Sequence, residues 1–289
     1  MGLTTTSAIL LRSIDYGESD RVVTLLGRST GSLGAIARGA RKSQRRFGGG
    51  LGLCSIGEAA LRERGSSELL TLERFDVTTS FPRLGADLVR MGHAAYVAEL
   101  LAKLCAPRQA EPEIYDLAVV FLELLEAEGA SATRLRIFEL ALLRGLGFAP
   151  TLDRCAACGR SDLSTGATID VRFIAERGGV VCQTCARRGR PMRPSVRVAL
   201  SRLARTPMAE AALIDLAAPG LALGLAPDVS GGCREALHEL IAIHLSAPLR
   251  SLEFLSKLTS SMRAKPALAS EPIRSDGASS PRGLEREEP

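Results

Sequence analysis

The sequence predicts an α+β protein in which an N-terminal OB-fold β-barrel precedes a mainly α-helical domain with an inserted four-cysteine zinc ribbon. Three observations support this fold class. Short apolar runs alternate with turn-forming residues up to about residue 80, helical periodicity follows, and two Cys-x-x-Cys pairs occur near the middle of the chain. With 289 residues, 46% of them hydrophobic, the chain is long enough to build a core in each of two domains.

The predicted barrel spans residues 1–80. Turn formers such as Asp15-Tyr16-Gly17 separate apolar runs that have the length and composition of strands. We expect strands at residues 7–13, 21–27, 32–38, 53–64 and 67–77. About five strands in this length indicate a small barrel, and the OB-fold is the oligonucleotide-binding architecture of this type. Periodicity alone does not distinguish an OB-fold from an SH3-like barrel.

Helical periodicity marks the second domain, residues 81–262. Apolar residues recur at helical spacing from Ile114 to Leu125, with acidic residues on the opposite face. Ser131 can cap a second helix, which ends before Pro150. Further helices are expected at residues 88–104, 195–204, 232–245 and 249–262. The remaining tail, residues 263–289, carries four prolines among Ser, Gly and Ala and is expected to be disordered.

Two Cys-x-x-Cys pairs are the most specific signal in the sequence. Their members are Cys155, Cys158, Cys182 and Cys185. The two-residue gap lets both thiolates of a pair face one tetrahedral ion, and two pairs complete the four-thiolate site that zinc prefers. Residues 172–181 have the pattern of a hairpin, which predicts a zinc ribbon at residues 153–190. Four protein ligands leave no open position, so structural zinc is predicted rather than catalytic zinc, with a redox disulfide as the alternative.

Enzymatic signatures are missing from the sequence. The glycine cluster at residues 48–52 lacks the Lys-Ser/Thr of a phosphate-binding loop, and His238-Glu239 lacks the second histidine of a zincin helix. Structural or surface roles are therefore expected for His93, His238 and His244. Small core roles are expected for the isolated cysteines Cys54, Cys105 and Cys233. These patterns predict a binding protein and not an enzyme.

The sharpest basic cluster consists of five cations within nine residues, with no acid among them. Its members are Arg38, Arg41, Lys42, Arg45 and Arg46. The cluster follows a predicted strand and precedes three glycines, so we interpret it as a flexible loop at the barrel rim. Such a loop would bind DNA through phosphate contacts, which give affinity without sequence readout. The adjacent Phe47 either stacks on a base or anchors the loop to the core.

A second basic segment, residues 177–205, contains eight arginines, and no acid occurs between Glu176 and Glu210. It is either a second basic surface or ordinary solvated surface of an arginine-rich chain. The longest apolar stretch, residues 216–227, is shorter than the roughly 20 residues of a membrane span and contains proline and glycine. The N-terminus also lacks the basic region of a signal peptide. We therefore expect a cytoplasmic protein without membrane contact.

Several segments resemble the RecO family of bacterial recombination mediators. Residues 14–25, Ile-Asp-Tyr-Gly-Glu-Ser-Asp-Arg-Val-Val-Thr-Leu, and residues 38–43, Arg-Gly-Ala-Arg-Lys-Ser, are similar to the opening strands and basic loop of that family. The cysteine ribbon and residues 248–255, Pro-Leu-Arg-Ser-Leu-Glu-Phe-Leu, also fall where the family carries such segments. The resemblance covers about residues 5–258.

The resemblance implies a non-enzymatic mediator of the RecF-pathway type in DNA repair. Such a protein binds single- and double-stranded DNA, anneals complementary strands and helps to load the RecA recombinase. The resemblance also implies two protein partners, RecR and the acidic C-terminal tail of single-stranded DNA-binding protein, and a location at the nucleoid. The helical domain offers Arg134, Arg136 and Arg144 to an acidic tail, but the sequence does not place that site.

Two other functions stay open at this point. An OB barrel with a zinc ribbon is also compatible with a general nucleic-acid-binding protein that acts on RNA or in transcription. A metal-dependent hydrolase would require an open coordination position at the zinc.

Overall fold

Five strands form the N-terminal part of the chain. The structure, a computed structural model, describes residues 2–47, 51–63, 67–161, 163, 171–211 and 226–264. The strands are β1 (Leu3–Tyr16), β2 (Asp20–Gly27), β3 (Gly31–Ala37), β4 (Ile56–Arg62) and β5 (Leu70–Thr79). A short helix, α1 (Gln44–Phe47), lies between β3 and β4 along the chain.

The strands close into a barrel in the order β1-β2-β3-β5-β4, and β1 pairs with both β2 and β4. The contact between β3 and β5 is parallel, whereas the other pairs are antiparallel. A register shift between Leu10 and Arg12 bends β1, which lets one long strand serve both neighbours. This strand order is that of the OB-fold, so the predicted barrel is confirmed and the SH3-like alternative is excluded.

The strand positions were predicted well, with differences of three or four residues at the two ends of β1 and at the starts of β4 and β5. The structure explains two of these differences. β1 begins at Leu3 rather than at residue 7, because Thr4, Thr5 and Thr6 continue the ladder with β4 although they are polar. β4 begins at Ile56 rather than at residue 53, because Cys54 adopts a left-handed backbone (φ 63°) in the preceding turn. Both differences concern backbone pairing, which hydrophobic periodicity does not report.

Helices form most of the second domain, and they confirm the predicted fold class. They are α2 (Pro82–Ala86), α3 (Leu88–Leu104), α4 (Pro112–Glu128), α5 (Ala132–Gly145), α6 (Pro194–Arg205), α7 (Pro227–Ala242) and α8 (Arg250–Ala264). The predicted start of α7 at residue 232 was wrong. Pro227 occupies the first turn, where its missing NH costs nothing, and the helix continues through Gly231 and Gly232. A Cβ atom at Gly232 would lie 2.6 Å from Val196 Cγ2, so a larger residue there would force the Val196 side chain to shift.

The ribbon is inserted between α5 and α6. Its strands are β6 (Val171–Ile174), β7 (Gly179–Cys182) and β8 (Arg190–Pro191), in the order β7-β6-β8. A 3-10 turn at Ala175–Arg177 and the left-handed Gly178 (φ 68°) reverse the chain between β6 and β7. The predicted hairpin over residues 172–181 is therefore confirmed.

One apolar core joins the outer face of the barrel to the helices. Ile9, Leu11, Leu26 and Ile56 of the barrel belong to the same buried cluster as the apolar residues of α3, α4 and α5. A second cluster fills the barrel interior and includes Phe47 of α1. The barrel is therefore fixed against the helical domain by burial of its own outer surface.

Polar contacts add to this attachment. The hydroxyl groups of Ser7 and Tyr115 lie 3.0 Å apart, and the Arg28 guanidinium donates two hydrogen bonds of 2.9 Å to the Asp116 carboxylate. The backbone of the loop before α4 packs directly on β3, where Arg108 N donates to Ser32 O at 3.0 Å.

Among the described residues no helix combines the length and apolar character needed to cross a bilayer. The tail that was predicted to be disordered lies outside the described residues from residue 265 onward.

Replacement of Gly31 by alanine should loosen the contact between barrel and helical domain. Gly31 has a φ of 73°, and a Cβ atom there would lie 2.0 Å from Gln109 O. We expect Gly31→Ala to lower the free energy of unfolding by about 3 kcal/mol, from backbone strain plus the clash. Gly17→Ala is the matched control, because Gly17 has a φ of 61° but no atom within 4 Å, and it should cost only about 1 kcal/mol. If urea unfolding showed equal losses of unfolding free energy in Gly31→Ala and Gly17→Ala, this would contradict the close contact between Gly31 and Gln109.

Candidate metal centre and nucleic-acid interface

The two Cys-x-x-Cys pairs converge at one end of the ribbon. The first pair lies in a turn closed by a hydrogen bond from Gly159 N to Cys155 O (2.8 Å), and the second in a turn from Cys185 N to Cys182 O (3.0 Å). Strand β7 delivers Cys182 beside the first turn. Cys155 and Cys182 are buried, whereas Cys158 and Cys185 are exposed.

The sulfur atoms are close enough together to hold one metal ion. All four Sγ atoms lie within 4.8 Å of one another, and the Sγ atoms of Cys158 and Cys182 are 3.9 Å apart. Tetrahedral zinc with bonds of about 2.3 Å requires sulfur atoms about 3.8 Å apart. The four predicted metal ligands are thus brought together with a spacing that fits zinc.

Hydrogen bonds in the cluster favour deprotonation of one thiol and oppose that of another. Burial opposes ionisation of Cys155, but the backbone NH groups of Cys182, Cys158 and Ala157 outweigh it and lower the pKa of Cys155 to about 6. Hydrogen bonds from the Cys185 thiol to the sulfur atoms of Cys182 and Cys158 raise its pKa to about 12. Four thiolates at this spacing repel one another, and a divalent cation would offset that repulsion.

The basic segment of the barrel is an ordered turn followed by α1, so its interpretation as a flexible loop was wrong. The Asp20 carboxylate accepts a hydrogen bond from Gly39 N at 2.8 Å, which lowers the pKa of Asp20. Arg41 N donates to Ser19 O at 3.0 Å. These bonds fix the turn against the β1–β2 connection, a contact that no local sequence pattern indicates.

The five predicted DNA-binding cations fall into two groups. The Arg46 guanidinium donates to Arg38 O at 2.6 Å, and Arg41 faces Asp15 at 3.9 Å, so both help to hold the turn. Arg38, Lys42 and Arg45 are exposed and form no ion pair with any residue that the structure describes. The turn thus presents three cations to solvent.

Phe47 does not stack on bases. Its side chain is 1% exposed and fills the barrel interior, and the Arg46 guanidinium lies 5.1 Å from its ring centre. Of the two roles considered for Phe47, anchoring of the basic segment is confirmed.

The second basic segment is opposed by acids that lie far away in the sequence. Arg190 forms ion pairs with Glu235 and Glu239, and Arg193 contacts Asp228 at 2.6 Å. All three acids belong to α7, which packs beside the ribbon and α6. Two of the eight arginines therefore form ion pairs with acids from outside the segment.

The arginines considered for an acidic peptide lie in different environments. Arg134 and Arg136 are buried in α5, with 6% and 5% exposure, whereas Arg144 is exposed and donates to Ala204 O at 3.0 Å. Arg136 lines a cavity of about 1080 Å³ between α3, α5, α7 and α8. The structure therefore does not bring the three arginines to one surface.

Polar groups meet in the cavity wall and directly beneath it. Tyr96 donates a 2.6 Å hydrogen bond to the fully buried carboxylate of Glu139, and Arg136 forms an ion pair with the same carboxylate at 3.1 Å. The His238 ring lies 3.3 Å from the Arg136 guanidinium. Burial, together with the nearby charges of Arg136 and Arg234, lowers the pKa of His238 to about 3.

Sequence reasoning missed this polar cluster. Tyr96, Glu139 and His238 are separated by about 40 to 100 residues, and each lies within an otherwise ordinary helix. The ion pair between Arg136 and Glu139, three residues apart, was the one local signal.

The neutral histidines should make stability depend on pH. Burial lowers the pKa of both His93 and His238, so below pH 6.5 the unfolded chain binds protons that the folded chain does not. Stability should therefore fall as the pH drops from 6.5 to 5, by up to about 1.4 kcal/mol per pH unit for each histidine. Urea unfolding of His238→Gln should show a shallower dependence on pH than the parent. If the free energy of unfolding depended on pH equally in His238→Gln and in the parent, this would contradict a neutral His238 in the folded chain.

Sequence comparisons agree with the fold. The family models Recombination protein O N terminal and Recombination protein O C terminal match residues 1–81 and 85–253. The chain is 40% identical over 255 residues to the DNA repair protein RecO of Anaeromyxobacter dehalogenans (strain 2CP-C), covering 87% of this chain and 95% of the relative. The proteins of that name from Geobacter sulfurreducens (strain ATCC 51573 / DSM 12127 / PCA) and Myxococcus xanthus (strain DK1622) are 37% and 35% identical, over 97% and 96% of their length and 87% of this chain. The resemblance found in the sequence is confirmed, and the chain belongs to the RecO family of DNA repair proteins.

Proposed function

We propose that this protein is a non-enzymatic recombination mediator that binds single- and double-stranded DNA and anneals complementary strands. One observation carries the proposal. A barrel of OB topology presents Arg38, Lys42 and Arg45 from an ordered turn, and none of the three forms an ion pair within the described residues. Cations held in this way can neutralise phosphates without first breaking internal ion pairs.

The composition of this surface favours contacts to the DNA backbone over contacts to bases. Phe47, the aromatic residue of the basic segment, is buried and cannot stack on a base. A strand held through its phosphates keeps its bases free for pairing, and neutralised phosphates lower the repulsion between two strands. Both effects speed annealing, and neither requires covalent chemistry.

We further propose that the four cysteines bind structural zinc. The sulfur spacing fits a tetrahedral ion, and four protein ligands leave no position for a catalytic water. Zinc would supply the positive charge that lets all four sulfur atoms be thiolates, while the cysteines join the turn before β6 to the end of β7. The exclusively thiolate ligand set disfavours the metal-dependent hydrolase considered above.

The cavity between α3, α5, α7 and α8 is our candidate site for the acidic tail of single-stranded DNA-binding protein. Its apolar lining includes Leu135, Leu249 and Leu252, and Arg234 lies exposed at the same cavity. Arg234 forms no ion pair with the described residues, whereas Glu235 and Glu253 on the lining are already paired with Arg190 and Lys257. An apolar, negatively charged peptide end matches this combination.

Family membership supports the remaining assignments. We propose that the protein cooperates with RecR and helps to load RecA onto strands coated with single-stranded DNA-binding protein. We also propose that it acts at the nucleoid in the cytoplasm, where its DNA substrate is found. A general nucleic-acid-binding protein would instead bind structured RNA at least as well as single-stranded DNA, so competition between these two ligands distinguishes the alternatives.

Removal of the three unpaired barrel cations should weaken DNA binding and flatten its salt dependence. For the triple variant Arg38→Gln, Lys42→Gln and Arg45→Gln, the slope of log affinity against log salt should fall by about 2 for single strands, since each phosphate contact contributes about 0.7. Fluorescence anisotropy across a salt series measures this slope. Arg38→Lys with Arg45→Lys keeps the charge and should keep the slope. A folded triple variant with the parental slope would show that the barrel does not contact phosphates at this turn.

Loss of one thiolate should release zinc and destabilise the ribbon. Cys155→Ser should lower the metal content from one zinc per chain toward none and lower the melting temperature, because the metal joins two turns that are distant in sequence. Cys54→Ser tests a buried cysteine outside the cluster and should retain the metal. Cobalt substitution in the parent should give the spectrum of four thiolate ligands. Absence of metal from the parent protein, with unchanged stability in Cys155→Ser, would refute the site.

Charge reversal at the cavity should weaken binding of the acidic tail. We expect Arg234→Glu to raise the Kd of a fluorescent tail peptide at least about tenfold, from loss of one charge contact and gain of repulsion. Arg250→Glu is the matched control, because Arg250 is exposed on α8 but does not line the cavity, and it makes the same change in net charge. Equal effects of the two substitutions would place the peptide elsewhere.

A further inference from the structure

The solvent-facing side of α6 carries arginines that packing does not explain. Val196, Ala199, Leu200 and Leu203 form the buried face of α6. Arg202 and Arg205 lie exposed on the opposite side together with Val198, which is 62% exposed, and Arg197 lies half-buried at the edge of that side. We call Arg197, Arg202 and Arg205 the α6 arginines.

None of the α6 arginines forms an ion pair within the described part of the chain. Arg193, just before α6, differs from them because it contacts Asp228 of α7. Arg202 and Arg205 lie in the last turn of α6, where the helix dipole favours cations, but at a spacing of three residues they also repel each other. Because Arg202 and Arg205 are exposed and form no ion pair within the described residues, their guanidinium groups can contact a partner outside the chain.

The α6 arginines line one shallow cleft of about 490 Å³ at the base of the ribbon. Leu152 and Asp153 close the cleft on the ribbon side, and Pro207 and Glu210 close it after α6. Asp153 and Glu210 form no ion pair with the arginines. Arg144 donates to Ala204 O at the end of α6 and adds a fourth cation at this edge. The cations of the cleft and its edge outnumber the acids.

The spacing of the arginines matches a phosphate backbone. Arg197 and Arg205 are eight residues apart, which is about 12 Å along a helix axis. Along one strand of duplex DNA the phosphates follow at about 3.4 Å of axis, so this face covers three to four of them. No aromatic residue lines the cleft, as far as the structure describes its walls, which disfavours a single-strand platform built on base stacking.

We propose that the solvent-facing side of α6 is a second DNA-binding surface, which contacts the phosphates of a DNA duplex. This inference rests on the proposed function and deepens it, because it adds to the barrel turn a second surface on different elements. The barrel packs on α3, whereas α6 packs on α5 and α7. One molecule could then hold a single strand at the barrel and a duplex at α6, which raises the effective concentration of one DNA near the other.

Two triple variants test the two surfaces separately. The first is Arg197→Gln, Arg202→Gln and Arg205→Gln in the full chain, and the second is the barrel triple variant described above. For the α6 variant we expect the salt slope for duplex binding to fall by about 2 to 3, with single-strand binding retained. Replacement of the same three arginines by lysine keeps the charge and should retain the parental slope. Energy transfer between a labelled single strand and a labelled duplex, present in the parent, should be lost in the α6 variant.

The outcomes separate this inference from the proposed function. An α6 variant that is folded and keeps both the duplex slope and the energy transfer would overturn the second surface, whatever the barrel variant does. A barrel variant with unchanged single-strand binding would overturn the proposed barrel site alone. Because the α6 arginines lie outside the apolar core, thermal unfolding of the α6 variant should match the parent and exclude misfolding as the cause.

Discussion

Burial of α3 between the barrel and the other helices is the constraint on which the rest of the structure depends. Tyr96, Val97, Leu100 and Leu101 are at most 1% exposed, and α3 contacts β1, α2, α4 and α8. The barrel contributes the outer face of its strands to this same core. The basic turn, the cavity and the α6 face are thereby carried by one connected body of packed elements, so their relative positions follow from apolar packing.

The internal partners of the cations distinguish the arginines that hold the fold together from the cations to which we attribute DNA binding. Arg46, Arg136 and Arg190 bind carbonyl groups or carboxylates of the chain and hold a turn, a cavity wall and a helix contact. Arg38, Lys42 and Arg45, and likewise the α6 arginines, form no ion pair among the described residues, although the charge of Arg38 helps to lower the pKa of Asp20. Counterion release on DNA binding favours cations without an ion pair, because a cation that is already paired with a carboxylate must first lose that partner. We therefore propose that DNA binding rests on cations that form no ion pair within the described residues.

Most of the fold and the four-cysteine cluster could be predicted from the sequence, for physical reasons that are local. The spacing Cys155-x-x-Cys158 requires no knowledge of tertiary structure, and the periodicity around Phe121 and Phe138 predicts α4 and α5 directly. Local spacing and periodicity do not predict contacts between residues that are far apart in the sequence. The acids that pair with Arg190 lie 45 and 49 residues away, and the carboxylate that orders the basic turn belongs to another strand. The same limit explains why Arg136 was considered a surface cation although α5 buries it.

The function proposed for this protein is to anneal complementary DNA strands while they are coated with single-stranded DNA-binding protein. The most direct measurement is annealing of complementary strands coated with the cognate single-stranded DNA-binding protein, with and without the C-terminal tail of that protein. We predict acceleration of annealing on strands coated with the intact protein and little or none when the tail is removed. Absence of acceleration on either substrate, from a preparation that binds bare DNA, would contradict this function.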